Sequence, residues 1–176
     1  MPSLSLTPIV ELPTTNELVS HLASALTARG WMMATAESCT GGLIAGACTD
    51  RAGSSQWFDR GFVTYSNAAK TSMLGVPAGL IATHGAVSAP VALAMAQGAA
   101  IQAGLHSVHA SVAVTGIAGP DGGSVNKPVG TVWFGWYVNG HLHSECQWFD
   151  GDRASVRQQT TFHALQRLLA LVQNSQ

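Results

Sequence analysis

The 176-residue chain is 47% apolar and only 10% charged, with a formal net charge of −1. That balance describes a packed globule, excludes a disordered segment, and offers nothing to nucleic acid or an anionic membrane surface. The length suits one domain, and so few charges leave apolar surface that a homo-oligomer interface would cover.

No run approaches the roughly 20 unbroken apolar residues of a membrane span. Met1 to Pro13 has no basic stretch followed by an apolar one, so no secretory signal is expected. Cys39, Cys48 and Cys146 are odd in number and widely spaced. That pattern speaks against a disulfide framework or a zinc site and fits a reducing cytoplasm. His141 and His143 alternate on an expected strand with no Cys or acidic cluster nearby, and read as surface residues rather than metal ligands.

Residues 1–13, with three prolines, read as an irregular arm ahead of a domain over 14–176. Thr14 to Glu17 supply cap-like residues and an acid, Leu18, Val19, Leu22, Ala25 and Leu26 follow at helical spacing, and Gly30 marks the stop. A strand is expected over 31–36, then a tight turn, then a helix from about Thr40 to Asp50. Residues 57–65 are aromatic and β-branched and read as a strand. Ser66-Asn67 offers a cap for a short helix over 68–74, a second short helix spans 78–83, and a longer one runs from about Ser88 to Ala103. Ala110 to Thr115 read as a buried strand, followed by the glycine-rich segment 116–123. Strands over 130–138 and 142–149 are joined by Asn139-Gly140, a hairpin signal, and Gly151-Asp152 introduces the last helix. Helices alternating with the first three strands, followed by a hairpin, give a single three-layer α/β/α domain with a mixed sheet and a C-terminal β-hairpin followed by a helix.

The stretch Ala36-Glu37-Ser38-Cys39-Thr40-Gly41-Gly42 joins an apolar strand to a helix N-terminus. Backbone N–H groups there favour developing negative charge, so Ser38 could be a nucleophile with oxyanion donors beside it. Equally, Ser38 or Thr40 could cap the helix while the glycines allow close packing. Cys39 is a second candidate nucleophile, weakened if it points into the core. Lys70 and Lys127 are the only lysines. Burial can lower a lysine pKa until it serves as general base, and a Ser–Lys pair is an established alternative to Ser–His–Asp; the alternative for Lys70 is an exposed position on a short helix. Thr115, Gly116 and Gly119 either bring N–H groups and a hydroxyl to a ligand at a strand end or belong to a plain surface loop. Arg153 and Arg157, one turn apart, would suit a phosphate or face solvent.

Four blocks together resemble the CinA C-terminal domain family: AESCTGGLIAG at 36–46, GSSQWFDRGFVTYSNAAK at 53–70, VTGIAGPDGGSVNKPVGTVWFG at 114–135 and FDGDRASVR at 149–157. The resemblance implies an α/β/α domain that hydrolyses the carboxamide of nicotinamide mononucleotide to nicotinate mononucleotide and ammonia. It matches Ser38 to the nucleophile, Lys70 to the general base and Tyr65 to a tyrosine close to that pair. It further implies oxyanion donors from Thr40, Gly41 and Gly42, and a substrate site lined by Thr115, Gly116, Gly119 and Arg153. Assigning Arg153 to the 5′-phosphate is a physical inference from its charge. Two places depart from the family pattern: Val87-Ser88 is followed by Ala89-Pro90 where an acid is common, and Arg60-Gly61-Phe62 replaces a glycine-rich pair.

The expected mechanism is acyl transfer. Neutral Lys70 takes the proton of Ser38, whose oxygen attacks the carboxamide; protonated Lys70 then serves the leaving ammonia, and water hydrolyses the acyl-enzyme. No cofactor or metal is required. The rival readings are a non-catalytic nucleotide-binding module and an amidase acting on another small amide.

Overall fold

In the computed structural model, which describes residues 13–104 and 107–175, helix α1 (Thr15–Arg29) starts at a reciprocal cap. The Thr14 hydroxyl accepts from the Glu17 N–H at 3.2 Å, and the Glu17 carboxylate accepts from the Thr14 N–H at 2.7 Å. Such caps contribute about 1 kcal/mol. Gly30, at φ 64°, closes the helix as expected. The arm expected over 1–13 lies outside the described residues except for Pro13.

Strand β1 (Met33–Glu37) is buried along its whole length and pairs in parallel with β2 (Phe58–Val63) on one side and β3 (Ala110–Gly116) on the other. Strands β4 (Thr131–Val138) and β5 (His141–Trp148) continue the sheet antiparallel, giving the order β2-β1-β3-β4-β5. Asn139 and Gly140 turn the hairpin with φ of 46° and 87°, the two left-handed positions of a type I′ turn. The C-terminal ends of β1 and β3 therefore lie side by side at the centre of the sheet, where open α/β sheets gather ligands.

The two faces are packed differently. Helices α1, α2 (Leu43–Thr49) and α6 (Arg153–Asn174) cover a face of large side chains, among them Leu22, Met33, Val112, Phe134, Trp136 and Leu165. Helices α3 (Asn67–Leu74), α4 (Ala78–His84) and α5 (Ala89–Ala103) cover the other, where Ala34, Ala36 and Ala113 meet Ala96, Ala99 and Ala100. Small residues let α5 ride close: a Cβ on Gly135 would lie 2.2 Å from the Ala92 carbonyl oxygen. No described helix is long and apolar enough to cross a membrane.

Strand β1 begins at Met33 rather than at 31 and runs on to Glu37, and two further boundaries differ from expectation for a local reason. Helix α2 starts at Leu43, not near Thr40, because Gly41 and Gly42 take left-handed φ of 59° and 105°. Strand β2 ends at Val63, not Tyr65; after it the Thr64 N–H donates to the Glu37 carbonyl at 2.8 Å and the chain bends into α3. Of the departures from the family pattern, Ala89-Pro90 forms the first turn of α5, and Gly61 sits where a Cβ would press on Thr35 Oγ1 at 2.9 Å.

Candidate active site

The turn after β1 is built around a buried carboxylate. Glu37 is fully buried, and a charge there must be hydrogen-bonded to be tolerated. It accepts from Thr35 Oγ1 at 3.1 Å and Thr40 Oγ1 at 2.7 Å, and from the N–H groups of Gly42, Ile44 and Ala45 at 3.0, 3.0 and 2.8 Å. The helix cap expected from Thr40 is therefore supplied by Glu37, with Thr40 a donor to it; the first-turn N–H groups of α2 favour the negative charge. From the other side Arg157 donates to the carbonyls of Cys39 (Nε, 3.1 Å) and Thr40 (Nη2, 2.9 Å).

This arrangement revises the expected oxyanion donors. The Gly41 N–H donates to the Ser38 carbonyl at 3.0 Å and the Gly42 N–H to Glu37, so both are already engaged. The N–H groups of Cys39 and Thr40 make no hydrogen bond to an oxygen among the described residues, and both lie against the Cys39 sulfur. The glycines' contribution is the left-handed backbone that lets the turn close.

Ser38 is tied to β3 by its N–H on the Val114 carbonyl at 3.1 Å. Lys70 reaches it from the fourth position of α3, a helix capped by Ser66 Oγ on the Ala69 N–H. Lys70 is only 1% exposed, and its Nζ lies 3.0 Å from Ser38 Oγ, 3.0 Å from the Thr64 carbonyl oxygen and 3.2 Å from that of Tyr65. No ion pair among the described residues involves it. Burial holds its pKa below the usual lysine value of 10.5, with the neighbouring Cys39 thiol acting weakly the other way. A neutral amine here can keep two N–H bonds on the two carbonyls and turn its lone pair to Ser38.

Ser38 and Lys70 open onto a cavity of about 230 Å³. Tyr65 and Asn67 form one wall, Ala86 and Val87 another, and Thr115, Gly116 and Ala118 a third, with Arg153 at the side. Thr115 Oγ1 donates to the Ala86 carbonyl at 2.9 Å, joining two of those walls. Arg153 donates to the Gly119 carbonyl at 2.8 Å and to the Tyr65 hydroxyl at 3.2 Å. Tyr65 is 62% exposed: its backbone carbonyl meets Lys70, while its hydroxyl accepts from Arg153. Gly119 is not among the residues lining this cavity; its carbonyl accepts from Arg153, which does line it. Burial pushes the Cys39 thiol up to about 11 and Cys48 to about 12, which leaves Cys39 a poor nucleophile beside Ser38. His141 and His143 lie exposed on β5.

Sequence reasoning missed Glu37, Asn67 and the loop 84–87, which Lys127 holds by donating to the Val87 carbonyl at 2.7 Å. The available signal for Glu37 was an acid ending an otherwise apolar strand.

The chain matches the model of the CinA C-terminal domain over residues 15–172. It is 54% identical over 157 residues to "Nicotinamide-nucleotide amidohydrolase PncC" of Enterobacter agglomerans, covering 88% of this chain and 93% of that protein. The protein of the same name from Pseudomonas putida is 51% identical over 154 residues, covering 88% and 94%. Among solved structures, the competence damage-inducible protein A (ComA) of Klebsiella pneumoniae superposes with a TM-score of 0.88 at 39% identity, covering 93% of this chain and all of that one.

Proposed function

The chain belongs to the CinA C-terminal domain family, and from that premise we propose that it hydrolyses the carboxamide of nicotinamide mononucleotide, releasing ammonia and nicotinate mononucleotide, through an acyl-enzyme on Ser38. The names of its relatives support the substrate and reaction class. The observation that carries the Ser–Lys mechanism is a buried lysine without an acidic partner, 3.0 Å from the hydroxyl of Ser38. A binding module has no need of such a pair.

Neutral Lys70 accepts the Ser38 proton as Oγ attacks the carboxamide carbon. The oxyanion that forms is met by the N–H groups of Cys39 and Thr40, which have no oxygen acceptor of their own in the turn. Lys70, now protonated and held on the Thr64 and Tyr65 carbonyls, delivers the proton to the leaving ammonia; it then activates the water that releases the acid. Arg153, beside the cavity, is the cation for the 5′-phosphate. On this reading the protein acts in pyridine nucleotide salvage in the cytoplasm, and the scarcity of charge supports a homo-oligomer.

Ammonia release from nicotinamide mononucleotide tests this. Ser38→Ala is expected to lose at least ~10⁴-fold in kcat and Lys70→Ala about 10²- to 10⁴-fold, with both variants folded. Near-normal turnover in either removes the dyad, and nucleotide binding without ammonia release by the unaltered protein favours the binding module.

A further inference from the structure

A trans peptide unit holds its carbonyl and the next residue's N–H in one plane, pointing in opposite directions. Whatever holds the carbonyl therefore aims the N–H. In the turn after β1, the Cys39 and Thr40 carbonyls are both held by the Arg157 guanidinium, reaching from α6 across more than a hundred residues of chain. The N–H that shares a plane with the Cys39 carbonyl is that of Thr40, and it therefore faces away from Arg157. The Cys39 N–H is aimed in the same manner, because the Ser38 carbonyl opposite it accepts from Gly41. Glu37 fixes the far side of the turn through Thr40 Oγ1 and the Gly42 N–H.

Arg157 was expected either to take a phosphate or to face solvent. Neither describes a side chain whose Nε and Nη2 are both spent on main-chain carbonyls. A carbonyl that accepts a charged donor also makes the N–H of its own peptide unit a stronger donor.

We propose that Arg157 is a positioning residue for the oxyanion: by holding the Cys39 carbonyl it aims and polarises the Thr40 N–H toward the oxygen that becomes negative when Ser38 attacks, and by holding the Thr40 carbonyl it fixes the next peptide unit of the turn. The inference rests on the acyl-enzyme reading given above. Arg157 touches neither substrate nor the reacting atoms; it acts through the turn. Its loss therefore costs transition-state stabilisation and spares binding of the planar ground state.

The test compares unaltered protein with Arg157→Ala, Arg157→Lys and Arg157→Gln. Three quantities are measured: ammonia release, affinity for the product nicotinate mononucleotide, and affinity for pyridine-3-boronic acid. Boron accepts the Ser38 oxygen and presents a tetrahedral anion. Arg157→Ala is expected to lower kcat about 10- to 100-fold, the scale of a misplacement of about 1 Å, with KM within about twofold. Boronate affinity is expected to fall in step with kcat while product affinity holds, and Arg157→Lys to recover part of both. If Arg157→Ala does not fold, Arg157→Lys and Arg157→Gln carry the same comparison. Retention of kcat and boronate affinity within about twofold in the folded variants overturns the proposal, as does product affinity falling as far as boronate affinity. Absence of Ser38-dependent ammonia release from the unaltered protein is a different outcome: it removes the acyl-enzyme reading, and this inference with it.

Discussion

Two glycine-rich turns leave the C-terminal ends of neighbouring parallel strands, β1 and β3, and flank the same cavity, yet they are held by different means. The turn 38–42 is clamped between charges, with Glu37 accepting five hydrogen bonds on one side and Arg157 donating to two carbonyls on the other. The loop 117–130 is held mainly by its own backbone, Ile117 N–H to Thr131 O at 2.9 Å and Gly130 N–H to Ile117 O at 2.8 Å, and residues 121–126 are exposed. Its side-chain ties are spread over fourteen residues: Arg153 to the Gly119 carbonyl, Ser124 Oγ accepting from the Lys127 N–H, Thr131 Oγ1 to the Pro128 carbonyl, Trp148 Nε1 to the Val129 carbonyl, and Lys127 reaching out to the loop 84–87. The difference follows the division of labour in the proposed reaction. A nucleophile and its oxyanion donors tolerate little displacement, so they sit on a turn with nearly every polar atom engaged. The walls that take the rest of the substrate sit on loops with fewer ties for their length.

The largest effect expected is at the first clamp. Glu37→Ala leaves the N–H groups of Gly42, Ile44 and Ala45 at the start of α2 without their acceptor, at about 1–3 kcal/mol for each buried donor left unmade. Denaturant unfolding is expected to lose at least ~3 kcal/mol, with activity lost alongside. A loss below about 1 kcal/mol would make the clamp incidental. The pH dependence comes next. Lys70 must be neutral to act as base, so kcat/KM rises with pH through its pKa and falls about tenfold per unit below it. Because burial lowers that pKa, the limb lies below the ordinary lysine value of 10.5; a limb at or above 10.5 contradicts a desolvated base.

The second loop offers milder ways to break the contrast. Lys127→Ala frees Val87 and His84 from their tie, and is expected to raise KM about three- to tenfold with kcat within twofold, the mark of lost ground-state binding. An equal fall in kcat would mean that this loop, too, positions the chemistry. Smallest of all is Cys39→Ala. With its thiol raised to about 11 by burial, the side chain should be dispensable, and ammonia release should stay within about twofold of the unaltered protein while a thiol reagent leaves activity intact. Loss of turnover would bring back the cysteine as nucleophile.

Much of the fold could be read from the sequence because its signals are local. Thr14 with Glu17, Gly30, Asn139-Gly140 and the caps Ser66 and Asp152 each act within a few residues, and each stands where expected. Lys70 stood out because lysine is scarce, and the fold brings it to Ser38. What was illegible depends on partners distant in sequence. Arg153 and Arg157 have the same type and share a helix face, but one turns to Tyr65 and Gly119 and the other to Cys39 and Thr40. Tyr65 looks like a side-chain contributor in sequence, yet it offers Lys70 its carbonyl, because β2 ends two residues earlier and the chain bends there. Glu37 read as one more residue of the turn; it ends β1, and its importance lies in the helix that begins beyond the glycines.

The most direct test of the central claim is intact-protein mass spectrometry of the unaltered chain, quenched with acid during turnover of nicotinamide mononucleotide. The account predicts a species heavier by the nicotinate-mononucleotide acyl group, mapped by peptide digestion to Ser38 and absent from Ser38→Ala. An adduct on Cys39, or continued ammonia release by Ser38→Ala, would contradict it.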